Sequence, residues 1–382
     1  MKKIYLLLVI FVTILLVFTF FYKNSEKSDN ENFQEPKNAF VNSLFAVKYK
    51  YWTINPEFGV ETIKNIKDKS IFDNELREKL IELLNMPFIQ VPTDKILNTI
   101  NTIDKGSYNE NKITLLTSDI SISNAYLLVP KNIEFPAPAV IAMHQHGGNY
   151  EYGKEEVVGN IGSPDLAYGK ELAERGYIVL AMDAPLFGKR FDTGNNSRNV
   201  EEMQAVQDLL VLGHSPLGVI VQEDIISLDY LSSLDIVDKE NIGCIGHSFG
   251  GIRCMYLSAL DKRIKVTVLS SSVANLKKNP NISILHTWLT LLPGIAKYTE
   301  TSGILALISP RPLMIVHTEN DPIYPAQETQ QNINSIYGLY TLINKKENFD
   351  YFFIKNEKHT FPKEIHDIAF QFMDKHLKNQ KI

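Results

Sequence analysis

The order of apolar runs along this 382-residue chain predicts an α/β fold, a mostly parallel eight-stranded sheet flanked by helices. Two observations carry that expectation. From about Lys112 onward, short β-rich runs alternate with amphipathic stretches of helical spacing, the pattern of a wound parallel sheet. The composition, 44% hydrophobic and 22% charged, is that of an ordinary globular chain long enough to bury a large core.

Taken in order, the chain begins with Lys2 and Lys3 and then a nearly unbroken apolar run from Ile4 to Tyr22. At about 19 residues the run is close to the roughly 20 that span a bilayer and longer than a typical cleaved signal core. It lacks a small-x-small cleavage site. Residues 1–22 therefore read as an uncleaved signal-anchor with its lysines inside and the bulk of the chain on the extracytoplasmic side, a cleaved signal peptide and secretion being the alternative. Residues 23–37 are polar and aperiodic, suited to a linker. Over 38–103 apolar positions such as Leu76, Leu80, Leu83 and Leu84 recur at helical spacing, which predicts a helical N-terminal extension. Residues 104–382 form the main domain. Its strands are expected at Ile113 to Thr117, Ala125 to Val129, Ala139 to Met143, Ile178 to Met182, Ile242 to Ile245, Val266 to Ser270, Leu313 to His317 and Tyr351 to Ile354. Helices are expected near 164–175, 200–212, 219–234, 249–260, 326–340 and 363–377. A long connection, about Asn275 to Leu307, is an insertion that either walls a pocket or extends the core.

A formal net charge of -5 supplies no basic field for a phosphate backbone, so nucleic acid is not an expected partner. The only cysteines, Cys244 and Cys254, fall in a buried strand and the helix after it, and no disulfide is expected between them. With no cysteine before position 244, a lipid-modified N-terminal cysteine is excluded. Asn195 and Asn281 each begin an Asn-x-Ser sequon.

The strongest local signal is Gly246-His247-Ser248-Phe249-Gly250-Gly251, which follows the apolar run Ile242 to Ile245 and precedes a helix-like stretch. A Gly-x-Ser-x-Gly at a strand-to-helix turn holds the serine in a strained, exposed position that suits a nucleophile. A second pattern, Gly213-His214-Ser215-Pro216-Leu217-Gly218, has one residue too many and follows a helix, so Ser215 reads as structural. A serine hydroxyl needs a base and a group that orients the base. His359 lies in a polar loop just past the last predicted strand, whereas His366 and His376 fall on the following helix. For the acid, Asp321 stands in a turn at the carboxyl end of the strand before, with Glu319 as runner-up. Backbone donors for a developing oxyanion are expected from Phe249 and from the His144-Gln145-His146-Gly147-Gly148 turn, with His146 foremost and Gln145 or Gly147 as alternatives. His144 and His146 also have a spacing open to metal ligation, but no partnering carboxylate or cysteine cluster accompanies them, and neither metal nor cofactor is expected. Asp183 to Gly188 reads as a structural turn.

From about Ile113 to Leu377 this set of motifs resembles the dienelactone hydrolase-like and acetyl-esterase-like branch of the α/β-hydrolases. The resemblance rests on the His144-Gln145 turn, Leu172 to Tyr177, Asp183 to Gly188, the Ser248 elbow, Ser309 to Leu313, Asp321, and His359 followed by Phe361-Pro362. It implies a serine hydrolase in which Ser248, Asp321 and His359 form a catalytic triad acting on small-molecule or sugar acyl esters. Serine replaces the cysteine of dienelactone hydrolases proper, and residues 38–103 have no counterpart in the minimal fold. A serine peptidase of the same fold, or a nonenzymatic binding module, are the alternatives.

Overall fold

The computed structural model describes residues 55–87, 96–118, 121–190, 197–277 and 287–378. The expected anchor, the linker and the asparagines of both sequons lie outside these residues. Among the described residues no single helix is long and apolar enough to cross a membrane.

The strands are β1 (Ile96–Asp104), β2 (Tyr108–Leu116), β3 (Ile122–Pro130), β4 (Ala137–Met143), β5 (Ile178–Met182), β6 (Val237–His247), β7 (Ile264–Ser270), β8 (Leu313–Thr318) and β9 (Phe349–Ile354). They form one sheet in the order β1-β2-β3-β5-β4-β6-β7-β8-β9. The β1, β2, β3 and β5 neighbours run antiparallel, and β5, β4, β6, β7, β8 and β9 run parallel. The physical reason lies in the runs themselves. Every residue of β5 and β8 is buried, as parallel strands covered on both faces must be, and their continuous apolar sequences meet that demand.

The helices are α1 (Ile66–Leu84), α2 (Lys154–Val157), α3 (Tyr168–Glu174), α4 (Arg198–Val211), α5 (Pro216–Ser233), α6 (Phe249–Leu260), α7 (Ile295–Tyr298), α8 (Thr301–Ala306), α9 (Ala326–Leu342) and α10 (Lys363–Leu377). Asn65 caps α1 by accepting from the Lys67 and Asp68 amides, and Phe72, Leu76, Leu80 and Leu84 form its buried stripe at four-residue spacing. That stripe shares one apolar cluster with Leu217 and Val221 of α5 and with Cys254 and Leu257 of α6. Arg77 adds a hydrogen bond of 3.2 Å to the Ala259 carbonyl. The extension is thus packed on the helices that support the sheet.

Two expectations need correction. The helical reading of 38–103 fails at 96–104, which is a ninth strand paired antiparallel to β2. Ile96, Leu97, Ile100 and Ile103 mimic helical spacing, but the segment is rich in isoleucine and threonine, whose branched β-carbons favour a pleated strand. Ile100 and Ile103 remain exposed on this edge strand, at 52% and 44%. The cysteines, expected to stay apart, form a disulfide between Cys244 and Cys254 with a Cα–Cα distance of 5.8 Å. The turn at Ser248 folds α6 back along β6, so residues ten apart in sequence come face to face.

Candidate active site

At the end of β6 the chain reverses through Ser248 into α6, with Ser248 at φ 56° and ψ -123°. A non-glycine residue reaches that left-handed region only under constraint. Here the constraint is crowding. A β-carbon on Gly250 would lie 2.0 Å from the Met143 carbonyl oxygen of β4, and one on Gly246 would lie 2.3 Å from the Gly250 backbone. Both glycines of the motif are therefore required by close backbone approach. The Ser248 amide donates to the Ser270 carbonyl at 2.8 Å, fastening the turn to β7.

Ser248, His359 and Asp321, separated by up to 111 residues in sequence, meet at this turn. The Ser248 hydroxyl lies 2.8 Å from His359 Nε2, and His359 Nδ1 lies 2.8 Å from Asp321 Oδ2. The network assigns the proton to Nδ1, so Nε2 accepts from the serine. Asp321 follows β8, and its Oδ1 accepts from the Ile323 and Tyr324 amides at 2.8 and 2.9 Å. Burial alone would raise the Asp321 pKa, but the hydrogen bond and charge of His359, with the two amides, outweigh it and hold the carboxyl below its ordinary value. The runner-up Glu319 is exposed and receives only a 3.4 Å contact from the Asn356 amide. Of the helical histidines, His366 is buried and bonds Glu171 and the Asp165 and Phe361 carbonyls, a packing role, and His376 lies against Phe372.

The imidazole of His359 is held between two rings, His247 at 4.8 Å and Tyr324 at 5.6 Å between centroids. His247 is itself fixed by a 3.0 Å hydrogen bond with the Ser270 hydroxyl. Tyr324 bears on all three of these residues: its amide on Asp321, its ring on His359, and its phenol toward Ser248. Burial pushes that phenol far above its usual pKa, so it stays neutral.

Opposite the elbow lies the turn after β4. His144 is fully buried, with Nδ1 bonded to the Gln145 carbonyl at 2.7 Å and Nε2 accepting from the Ala184 amide at 3.0 Å. Both ring nitrogens are therefore engaged, and burial holds the ring neutral by driving its pKa well down. No group of three or more metal-ligating side chains gathers among the described residues. The His146 ring packs with Tyr150, Phe187 and Phe249, and its Nε2 lies 2.8 Å from Glu202 Oε2 on α4. Phe249, next to Ser248, is completely buried in this aromatic cluster.

The remaining motif residues are structural. Asp183 is buried in an ion pair with Lys154 at 2.6 Å, and Ser215 caps α5 by accepting from the Gly218 amide at 3.2 Å. The insertion divides its work. Ile304, Leu305 and Ala306 of α8 enter the core, while Thr287 and Trp288 attach to Glu202 beside the His146 turn. Sequence reasoning missed His247, Tyr324 and Glu202. Tyr324, three residues after Asp321, could have been suspected from the turn it closes; Glu202 lies mid-helix and carries no local signal.

The fold is shared with the "putative acetyl xylan esterase" of Bacteroides fragilis NCTC 9343, at 19% identity and TM-score 0.72, over 90% of this chain and 97% of that one. It is shared also with "Methylesterase BT1017", at 17% identity and TM-score 0.65, over 87% and 68% of the two chains. In sequence, the chain is 32% identical over 274 residues to "Putative hydrolase YtaP" of Bacillus subtilis (strain 168), covering 69% of this chain and 87% of that protein. The model of the Abhydrolase family matches residues 34–364, and this chain belongs to that family of hydrolases.

Proposed function

We propose that the protein is a serine esterase that cleaves small-molecule or sugar acyl esters through an acyl-enzyme. The carrying observation is the relay of two 2.8 Å hydrogen bonds from Ser248 through His359 to Asp321, mounted on a strained strand-to-helix turn. In the first half-reaction Ser248 Oγ attacks the acyl carbon while His359 Nε2 takes the hydroxyl proton. Charge that collects on the carbonyl oxygen is met by the Phe249 and His146 amides, at the N-terminus of α6 and in the turn after β4. The intermediate collapses to the acyl-Ser248 ester, and the alcohol leaves with the proton returned by His359. Water then repeats the sequence, its proton passing to His359, and releases the acid and free Ser248. Asp321 keeps the proton of the resting imidazole on Nδ1 and offsets its charge once it is doubly protonated.

The esterase class is supported by the two fold neighbours, a "putative acetyl xylan esterase" and "Methylesterase BT1017". The test is a panel of 4-nitrophenyl acetate, butyrate and octanoate, acetylated xylo-oligosaccharides, and the matching 4-nitroanilides. Turnover of short esters with no turnover of anilides is expected; anilide cleavage at comparable kcat/KM would make the enzyme a peptidase instead.

We further propose that the domain faces the extracytoplasmic side, held by residues 1–22. The apolar run and the Cys244–Cys254 disulfide both favour an oxidising compartment. The full-length chain should sediment with membranes and be digested by protease added to intact cells or spheroplasts. Recovery of a processed soluble form would replace the anchor with a signal peptide.

A further inference from the structure

We infer that Glu202 is the positioning residue for the oxyanion side of the site, acting through the His146 ring; this rests on the proposed esterase function and deepens it. Glu202 lies on α4 and its side chain is only 2% exposed, yet four donors converge on its carboxylate. Oε2 receives His146 Nε2 at 2.8 Å and the Tyr150 hydroxyl at 2.7 Å. Oε1 receives the Thr287 hydroxyl at 2.7 Å and the Trp288 amide at 2.9 Å. A buried carboxylate so satisfied is ionised and rigid.

The orientation of His146 follows from its second nitrogen. The Gly148 amide donates to His146 Nδ1 at 3.2 Å, so Nδ1 carries the lone pair and Nε2–H points at Glu202. The ring is thereby tied at both ends, to its own turn through Gly148 and to α4 through Glu202. Upstream, His144 and Gln145 hold the turn through the Ala184 amide and Glu156, whereas Gly147 and Gly148, at φ 58° and 69°, add no side chain beyond His146. From His146 onward the backbone of the turn is held by the His146 ring, set between Glu202 and the rings of Tyr150, Phe187 and Phe249. An amide donor works only if it is fixed where the oxyanion forms, and a displacement of about 1 Å can cost on the order of 10²-fold in rate. The role of Glu202 is to hold the His146 amide at that place, and the Thr287 and Trp288 contacts use the same carboxylate to secure the insertion.

Glu202→Ala leaves His146 without its acceptor. Glu202→Gln preserves the shape but can turn an amide N–H toward His146 Nε2–H. Both should lower kcat for 4-nitrophenyl acetate by about 10- to 100-fold, with KM changed by less than about threefold. Turnover is to be expressed per Ser248 that reacts with a fluorophosphonate, which removes any loss of folded protein from the comparison. His146→Ala should lower kcat similarly, and the double variant should be no slower than the slower single one, because both act through one contact. Thr287→Val removes one of the two insertion donors on Oε1 and leaves the Trp288 amide there, so it should lower kcat by less than Glu202→Ala does. Glu202→Ala with wild-type turnover per reactive serine overturns the inference, as does a double variant whose losses multiply. A wild-type protein with no reactive Ser248 overturns the nucleophile assignment and this inference with it; full labelling with unaltered Glu202→Ala turnover overturns this inference alone.

Discussion

Replacing Asp321 by asparagine changes one atom of a buried side chain, and the consequence follows from its hydrogen bonds. Oδ1 accepts from the Ile323 and Tyr324 amides, so the asparagine will keep its carbonyl oxygen there and hold the turn as the aspartate does. The other position, 2.8 Å from His359 Nδ1, then carries an NH₂ group. Two donors cannot face one another, so the imidazole moves its proton to Nε2 and accepts at Nδ1. Nε2 now presents N–H to the Ser248 hydroxyl across 2.8 Å and has no lone pair with which to take the serine proton. The equivalent change in a known triad lowers kcat about 10⁴-fold, or about 5.4 kcal/mol of transition-state stabilisation. Initial rates on 4-nitrophenyl acetate, with circular dichroism to check the fold, measure it. Glu319→Gln, on an exposed side chain away from the imidazole, should cost less than about twofold. An Asp321→Asn protein within tenfold of wild type, or a Glu319→Gln protein with the larger loss, would refute the assignment of the acid.

Three more predictions follow from the same contacts. Gly250→Ala forces a β-carbon to 2.0 Å from the Met143 carbonyl oxygen, a backbone obstacle, and should destabilise by about 3 kcal/mol or more; Gly213→Ala, with φ 83° but open space, should cost only about 1–2 kcal/mol by urea unfolding. If the two variants unfold alike, the crowding at the elbow is misread. The Cys244–Cys254 crosslink closes a loop of ten residues, worth about 2.7 kcal/mol in the chain-entropy account, so urea unfolding should shift to lower concentration when a reductant is present; two titratable thiols in the denatured, unreduced protein would contradict the crosslink. Glu202, held at about 2 by hydrogen bonds from His146, Thr287 and Tyr150 that overcome its burial, has a folded pKa below its ordinary 4.5. Its contribution, at most about 3 kcal/mol, is therefore present above about pH 4.5 and lost as pH falls toward 2. The stability gap between wild type and Glu202→Gln should close over that window, and a gap that widens on acidification would reverse the sign of the argument.

How much of this was legible in the sequence depended on whether the signal was local. Strands such as β5 and β8 were readable because a buried parallel strand must be apolar throughout, and the elbow because Gly246 and Gly250 flank Ser248 where only glycine fits. The positions of Asp321 and His359 could be expected from the strands before them, β8 and β9. The first strand was missed because Ile96, Leu97, Ile100 and Ile103 satisfy a helical period as well as a strand, and pairing with β2 decided between them. The disulfide was missed because a separation of ten residues says nothing about facing until the turn between them is known. Glu202 was invisible for a further reason: its partners, His146, Tyr150, Thr287 and Trp288, come from segments 52 to 86 residues away, and no pattern within α4 marks them.

The nucleophile is the central claim, and chemical labelling tests it most directly. A fluorophosphonate should modify one serine, and mass spectrometry of the digested protein should place the adduct on the peptide containing Gly246 to Gly251, with labelling and esterase turnover both abolished in Ser248→Ala. An adduct on the Ser215 peptide, or ester hydrolysis that continues at the wild-type rate in Ser248→Ala, would contradict it.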